Sequence, residues 1–146
     1  MAAIRRAEVT WSGPLSTGTG TVSAMSSRTF ADLPVSWTAR TEESGGKTSP
    51  EELLAAAHAA CFSMALSGNL VRASHPPERL HVSADVTFDK VEAGWRVVSS
   101  ALTVHGKVPG ISVEDFDAAA EQTRTGCPIS QALIGNVELS VEATLE

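Results

Sequence analysis

Two cysteines, four histidines and no cluster of either are the first constraints this chain imposes. Cys61 and Cys127 form no CxxC pair. His58, His75, His81 and His105 are scattered, with no Cys/His grouping at zinc spacing, so no metal site is expected. No uninterrupted run of about eighteen apolar residues is present, and no membrane span is expected. The opening MAAIRRAEVTW has two arginines but no apolar segment behind them, so no secretory leader is expected and a cytoplasmic location is. An excess of basic charge is also missing. The formal net charge is −6 with pI near 5.2, which argues against a nucleic acid held by its phosphates. In a reducing compartment a permanent disulfide is not expected. The two cysteines are then either inert core residues or a redox pair.

What is there reads as a globular domain. The 146 residues are the usual size of one domain, expected to span residues 1–146, and can bury a core without staples. Apolar residues make up 42% and charged residues 19%, too apolar for disorder. In the N-terminal third, Ala7, Val9 and Trp11 alternate with polar residues. Val22 and Ala24 repeat the pattern, as do Val35, Trp37 and Ala39 with Arg40 following, so three strands are expected. TEESGGK (Thr41–Lys47) is a polar loop. Later, Val82, Ala84, Val86 and Phe88 give the strongest period-two signal. Asp89–Gly94 is expected to turn the chain into a second strand carrying Val98, Leu102 and Val104. Ser112 can cap a helix running to Arg124 with Gly126 as its stop, Cys127-Pro128 opens a short helix, and Val137, Leu139, Val141 and Ala143 form a last strand. The pattern is α+β, with antiparallel sheet around a central helix pair.

One helix stands out. Ser49-Pro50-Glu51-Glu52 places an N-cap serine, a proline at the first helical position and a glutamate three residues past the cap. The following LLAAAHAACFSMALSGNLV is apolar nearly all round. A helix without a polar face is usually buried on all sides, which a chain this small achieves with difficulty alone. Its alanines also let other backbones approach. A second subunit is the natural cover.

Chemistry centres on the two thiols. Free cysteine in an apolar helix is often simply core, and that reading stands for Cys61. Cys127, just before Pro128 at a helix start, can take a cap position; helix N-termini lower thiol pKa values, though turn geometry alone could place it there. A thiol becomes a nucleophile at neutral pH when a nearby cation favours its thiolate. Arg40 can point inward, and Glu51 is spare because Glu52 serves the cap. An arginine held by a carboxylate presents its guanidinium in a fixed direction. The plainer alternative is that Glu51 complements the helix dipole and Arg40 lies on the surface. Glu51 and Cys61 are ten residues apart on one helix, about 15 Å along its axis. Glu51 therefore cannot easily serve its own chain's Cys61, whereas two such helices packed antiparallel about a two-fold axis bring Glu51 of one chain toward Cys61 of the other. His58, one turn before Cys61, reads as a satisfied buried histidine. Some of Phe62, Met64 and Leu66 are candidates for lining an apolar pocket, with most of them expected to be plain core, and Trp11, Trp37 and Trp95 are candidates for core or interface.

SPEELLAAAHAACFSMAL (Ser49–Leu66) and GCPISQAL (Gly126–Leu133) together resemble the OsmC/Ohr family, the osmotically inducible and organic-hydroperoxide-resistance proteins, and its OsmC branch most. WSGPLSTGTGTVS, ADVTFDKVEAGW, GKVPGI and VELSVEATL support the resemblance, which covers essentially the whole chain. It implies an intertwined α+β homodimer with two long central helices and active sites at the interface. It also implies a Cys-based peroxidase acting on organic hydroperoxides in stress defence, with Cys61 peroxidatic, Cys127 resolving, Glu51 the acid of the helix-opening Pro-Glu, and Arg40 the activating arginine. A thiol or lipoyl-type dithiol would be the reductant, with no cofactor. Rival readings are thiol-dependent acyl or disulfide exchange on Cys61, a redox sensor, and a non-enzymatic ligand-binding or structural dimer of the same fold.

Overall fold

The computed structural model describes residues 1–146, which fall into two compact units, Met1–Leu53 and Leu54–Glu146. In the first unit, β1 (Ala7–Ser12), β2 (Thr19–Ala24) and β3 (Leu33–Val35) form an antiparallel sheet in chain order. Trp11 pairs with Gly20 across β1 and β2. A Cβ at Gly20 would come within 2.8 Å of the Trp11 ring, so the indole can lie flat over β2 only because the partner position is bare.

The third alternation does not continue as a strand. β3 ends at Val35, and Trp37–Thr41 form a short helix, α1. The cause is Ser36: its hydroxyl accepts the backbone N–H of Ala39 at 3.1 Å, an N-cap that redirects the chain after one residue of extended backbone. Arg40 therefore projects from a helical turn, not from a strand end.

Helix α2 (Pro50–Arg72) begins in the first unit and runs into the second. The expected cap is in place, with the Glu52 N–H donated to Ser49 Oγ at 3.1 Å. The helix is long and apolar enough on average to cross a membrane by length and composition, although polar residues interrupt its apolar run. Its residues His58, Phe62, Leu66 and Leu70, spaced by four, are fully buried. They lie in the core of the second unit, with Leu102, Val104 and Phe116. The alanines at 56, 57 and 60, and Met64 at 71% exposure, lie on the remaining surface of the helix.

The second sheet has the order β4–β5–β6. β4 (Arg79–Val91) and β5 (Gly94–Lys107) make a long antiparallel hairpin that stays paired to Val91↔Gly94. The turn is thus only Glu92-Ala93, tighter than the expected Asp89–Gly94, because Gly94 takes φ +115 and closes it in two residues. Phe88 and Trp95 stack at 5.0 Å near this tip. From β5 the chain crosses through α3 (Val113–Gly126) and α4 (Pro128–Leu133) before β6 (Glu138–Leu145). β6 pairs parallel to β5. The sheet is therefore mixed where antiparallel pairing was expected, since a strand reached by a helical crossover can run in the same direction as the one it left. Ser112 caps α3 through Asp115 N–H at 3.1 Å. Phe116 of α3 lies against β5 at Gly106, where a Cβ would meet the ring at 2.4 Å.

Candidate active site

Two groups of side chains carry chemistry, and each is described within its own unit. In the first, the guanidinium of Arg40 grips the Glu51 carboxylate with both faces of its fork. Nε donates to Oε1 at 3.0 Å and to Oε2 at 3.2 Å, and Nη2 donates to Oε1 at 2.8 Å. The Glu51 side chain is only 8% exposed and that of Arg40 30%. A carboxylate this buried needs a partner of matching geometry, which the planar guanidinium provides. The pair fixes the direction in which the guanidinium points. The Arg40 guanidinium carbon also lies 5.9 Å from the Trp37 ring centroid. Beside it opens an apolar cleft of about 540 Å³, lined by Trp11, Leu15, Val22, Val35, Trp37 and Leu53. A few polar groups at the edge of an apolar concavity are what a small-molecule site requires. Of the two roles open to Phe62, Met64 and Leu66, pocket lining and core, the core one holds for Phe62 and Leu66. Phe62 and Leu66 are fully buried core, and Met64 is exposed, because α2 turns its i, i+4 stripe into the second unit's core. Trp11 and Trp95, at 39% and 44% exposure, are not core residues within one chain.

In the second unit the two thiols face one another. Both are free, Cys61 half-buried and Cys127 fully buried. Burial pushes the Cys61 thiol up from its ordinary value. The backbone N–H of Ile129 pulls it down, and the neighbouring Cys127 thiol, by hydrogen bond and by charge, pushes it up again. No cation is among the groups that act on it. Cys127 closes α3 and caps α4 at once: its N–H bonds to Thr123 O, and its Sγ accepts the Ser130 N–H at 3.3 Å. The cap role expected for Cys127 is what the backbone shows.

Behind Cys127 lies a polar chain that the sequence reading did not assemble. Cys127 Sγ is 3.0 Å from Ser130 Oγ, Ser130 Oγ is 2.8 Å from His58 Nε2, and His58 Nδ1 is 2.7 Å from Ser100 Oγ. All four side chains are fully buried. His58 is thus the satisfied buried histidine expected, and burial lowers its pKa. The structure brings Arg40 to Glu51 and Cys61 to Cys127.

The family described as OsmC-like protein matches residues 42–142, a span that includes both thiols and Glu51. This chain belongs to the OsmC family. It is 40% identical over 138 residues to the peroxiredoxin OsmC of Escherichia coli (strain K12), covering 94% of this chain and 95% of that one. It is 29% identical over 113 residues to the organic hydroperoxide resistance protein OhrA of Bacillus subtilis (strain 168), covering 76% and 77%. Among solved structures, a putative organic hydroperoxide resistance protein of Vibrio cholerae with captopril bound in one of its active sites superposes with a TM-score of 0.72 at 26% identity, covering 99% of this chain and 94% of that one. The α+β architecture of this OsmC-family chain is therefore that of the OsmC/Ohr fold.

Proposed function

We propose that this OsmC-family chain is a thiol-dependent peroxidase that reduces organic hydroperoxides, and hydrogen peroxide less well, in stress defence. The observation that carries the reading is the Cys61 thiol set against the Cys127 thiol with the Ile129 N–H directed at it. The names of the relatives, peroxiredoxin and organic hydroperoxide resistance protein, support it.

The Cys61 thiolate attacks the distal oxygen of ROOH. An S–O bond forms, the O–O bond breaks, the sulfur is oxidised to a sulfenic acid, and the alkoxide leaves as ROH after taking a proton. Cys127 then displaces hydroxide from the Cys61 sulfur to give a disulfide, which a thiol or a lipoyl-type dithiol reduces. Cys61 as it stands in its own unit is a poor thiolate, because burial raises its pKa and no cation opposes this. The Arg40–Glu51 pair supplies what is missing: a fixed guanidinium that stabilises the thiolate and the charge developing on the peroxide. Since Glu51 and Cys61 are about 15 Å apart along α2, the pair of one subunit serves Cys61 of its partner in a homodimer. The alanine-rich surface of α2 suits the close approach such a dimer needs. The apolar cleft beside Arg40 favours alkyl or aryl hydroperoxides. In this reading the chain is one domain over residues 1–146, active in the cytoplasm.

Consumption of cumene hydroperoxide and of hydrogen peroxide, with a dithiol as reductant, compares the wild type with Cys61→Ser. The expected result is faster turnover of the organic peroxide and none by the variant. If the wild type consumes neither peroxide, or the variant keeps full activity, Cys61 is core packing and the fold serves a binding role.

A further inference from the structure

The resolving step needs a base, and the peroxide-reducing step does not use the buried imidazole. We propose that His58, acting through Ser130, takes up the proton that Cys127 releases as it attacks the oxidised Cys61. The proposal rests on the reading of Cys61 as peroxidatic and Cys127 as resolving, and adds the group that makes Cys127 nucleophilic.

The argument is geometric. Cys127 sits in a fully buried position, where its thiol cannot hand a proton to bulk water. Besides the Cys61 thiol it is to attack, its sulfur has Ser130 Oγ at 3.0 Å, and it accepts the Ser130 N–H at 3.3 Å. The amide favours negative charge on sulfur, and the hydroxyl offers the proton an exit. A serine hydroxyl both donates and accepts, so it can receive the thiol proton only while passing its own onward. The atom placed to accept is His58 Nε2, 2.8 Å away. For Nε2 to accept, Nδ1 carries the imidazole proton and donates to Ser100 Oγ, 2.7 Å away on β5. Ser100 can accept from Nδ1 in this tautomer and holds the ring plane, the part an orienting group plays behind a general base. His58 never touches the reacting sulfur. It positions Ser130 and receives what Ser130 relays.

The step balances without an added reactant. A lone pair on the Cys127 sulfur forms the S–S bond as the S–O bond of the Cys61 sulfenic acid breaks. The Cys127 proton passes to Ser130 Oγ while the Ser130 proton passes to His58 Nε2. The departing hydroxide becomes water when the imidazolium returns the proton. Cys61–SOH and Cys127–SH give a disulfide and water.

The surroundings suit a neutral base. From β5 the group facing His58 is Ser100, and from α4 it is Ser130. The titratable groups nearest the relay are Cys127, at its end, and Cys61, one turn along α2. Burial alone shifts the imidazole, downward, so it is unprotonated and ready near neutrality.

The test is a single turnover of the reduced full-length protein with one equivalent of cumene hydroperoxide, between about pH 5.5 and 8.5. Sulfenic acid is trapped with dimedone, and disulfide formation is followed by loss of free thiol. His58→Gln keeps a hydrogen-bonding atom toward Ser130 but cannot take a proton in this range; Ser130→Ala removes the relay itself. In both variants, sulfenic acid should form at the wild-type rate and disulfide formation should slow about 100-fold. The wild-type decline of resolution toward acid pH, which marks protonation of His58, should give way to a rate that climbs with pH as the thiol itself ionises. Resolution by His58→Gln at the wild-type rate, or slowed with the wild-type pH profile, would show that the imidazole only packs and bonds there. If His58→Gln does not fold, Ser130→Ala decides alone, since it adds no bulk and removes no charge. Turnover by Cys61→Ser would instead show that the thiol assignment is wrong, and the inference would fall with it.

Discussion

The two units of this chain are built on opposite principles. Met1–Leu53 has almost no core of its own: every residue of β1 is exposed, and Val22 is the one buried hydrophobic side chain. Its order comes from backbone ladders and one well-made ion pair, Arg40–Glu51. Its apolar side chains line an open cleft. Leu54–Glu146 is the reverse, with Phe62, Leu66, Leu70, Leu102 and Phe116 closed into a core on which both thiols are mounted. An apolar concavity left open, edged by a fixed cation, is suited to recognising a substrate and stabilising charge. A packed core that holds two sulfurs in register is suited to reacting. On the proposed mechanism the two units divide the labour, since Arg40 lies in one and no cation is among the groups that act on Cys61 in the other.

The sharpest way to break that division is at Arg40. Arg40→Lys keeps the positive charge and loses the fork that bonds both Glu51 oxygens. If the guanidinium of the first unit activates the thiol of the second, kcat/KM for cumene hydroperoxide should fall about 100-fold. The stability lost should stay near 1–3 kcal/mol, the worth of hydrogen bonds to a charged group. Full activity in Arg40→Lys, read in the same peroxide assay, would mean that the pair is only structural and the division of labour is false.

A smaller effect sharpens the other half. Burial depresses the pKa of His58 below its ordinary value of 6.5. A group of this kind contributes stability above its unfolded pKa and loses it as pH falls through the folded value. The wild type should therefore lose stability as pH drops below about 6.5, with this group contributing a slope of up to about 1.4 kcal/mol per pH unit. His58→Gln should lose that contribution, so its denaturation midpoint changes less over the same acid range. Equal slopes for the two proteins would show that His58 is not the buried neutral group the core of the second unit requires.

Much of this was legible in the residues, and what was not has physical causes. Ser49 and Ser112 announced their helices because capping is local chemistry, readable within four residues. The thiol pair was legible through the motifs around Cys61 and Cys127. Val35-Ser36-Trp37-Thr38-Ala39 alternates like a strand because a few residues fit both periods, and the Ser36 hydroxyl that caps α1 decides for the helix. The parallel pairing of β6 is set by the α3–α4 crossover, not by the strand's own alternation, which is the same in either direction. The apolar cleft was sought near Cys61 because sequence neighbours were taken for spatial ones. The His58 chain was out of reach for the same reason: Ser100 is 42 residues from His58, and Ser130 is 72. A serine carries no sign that its partner will be a buried imidazole.

The central claim is that a working site takes Cys61 from one subunit and Arg40 from the other. It is tested most directly by complementation between two inactive variants, Cys61→Ser and Arg40→Ala, co-expressed with different tags and purified as the mixed dimer. A shared site predicts that this heterodimer regains about half the wild-type turnover of cumene hydroperoxide, because one of its two sites then holds an intact cysteine and an intact arginine. A mixed dimer as inactive as its two parents would contradict the account, since each subunit would then be using its own pair.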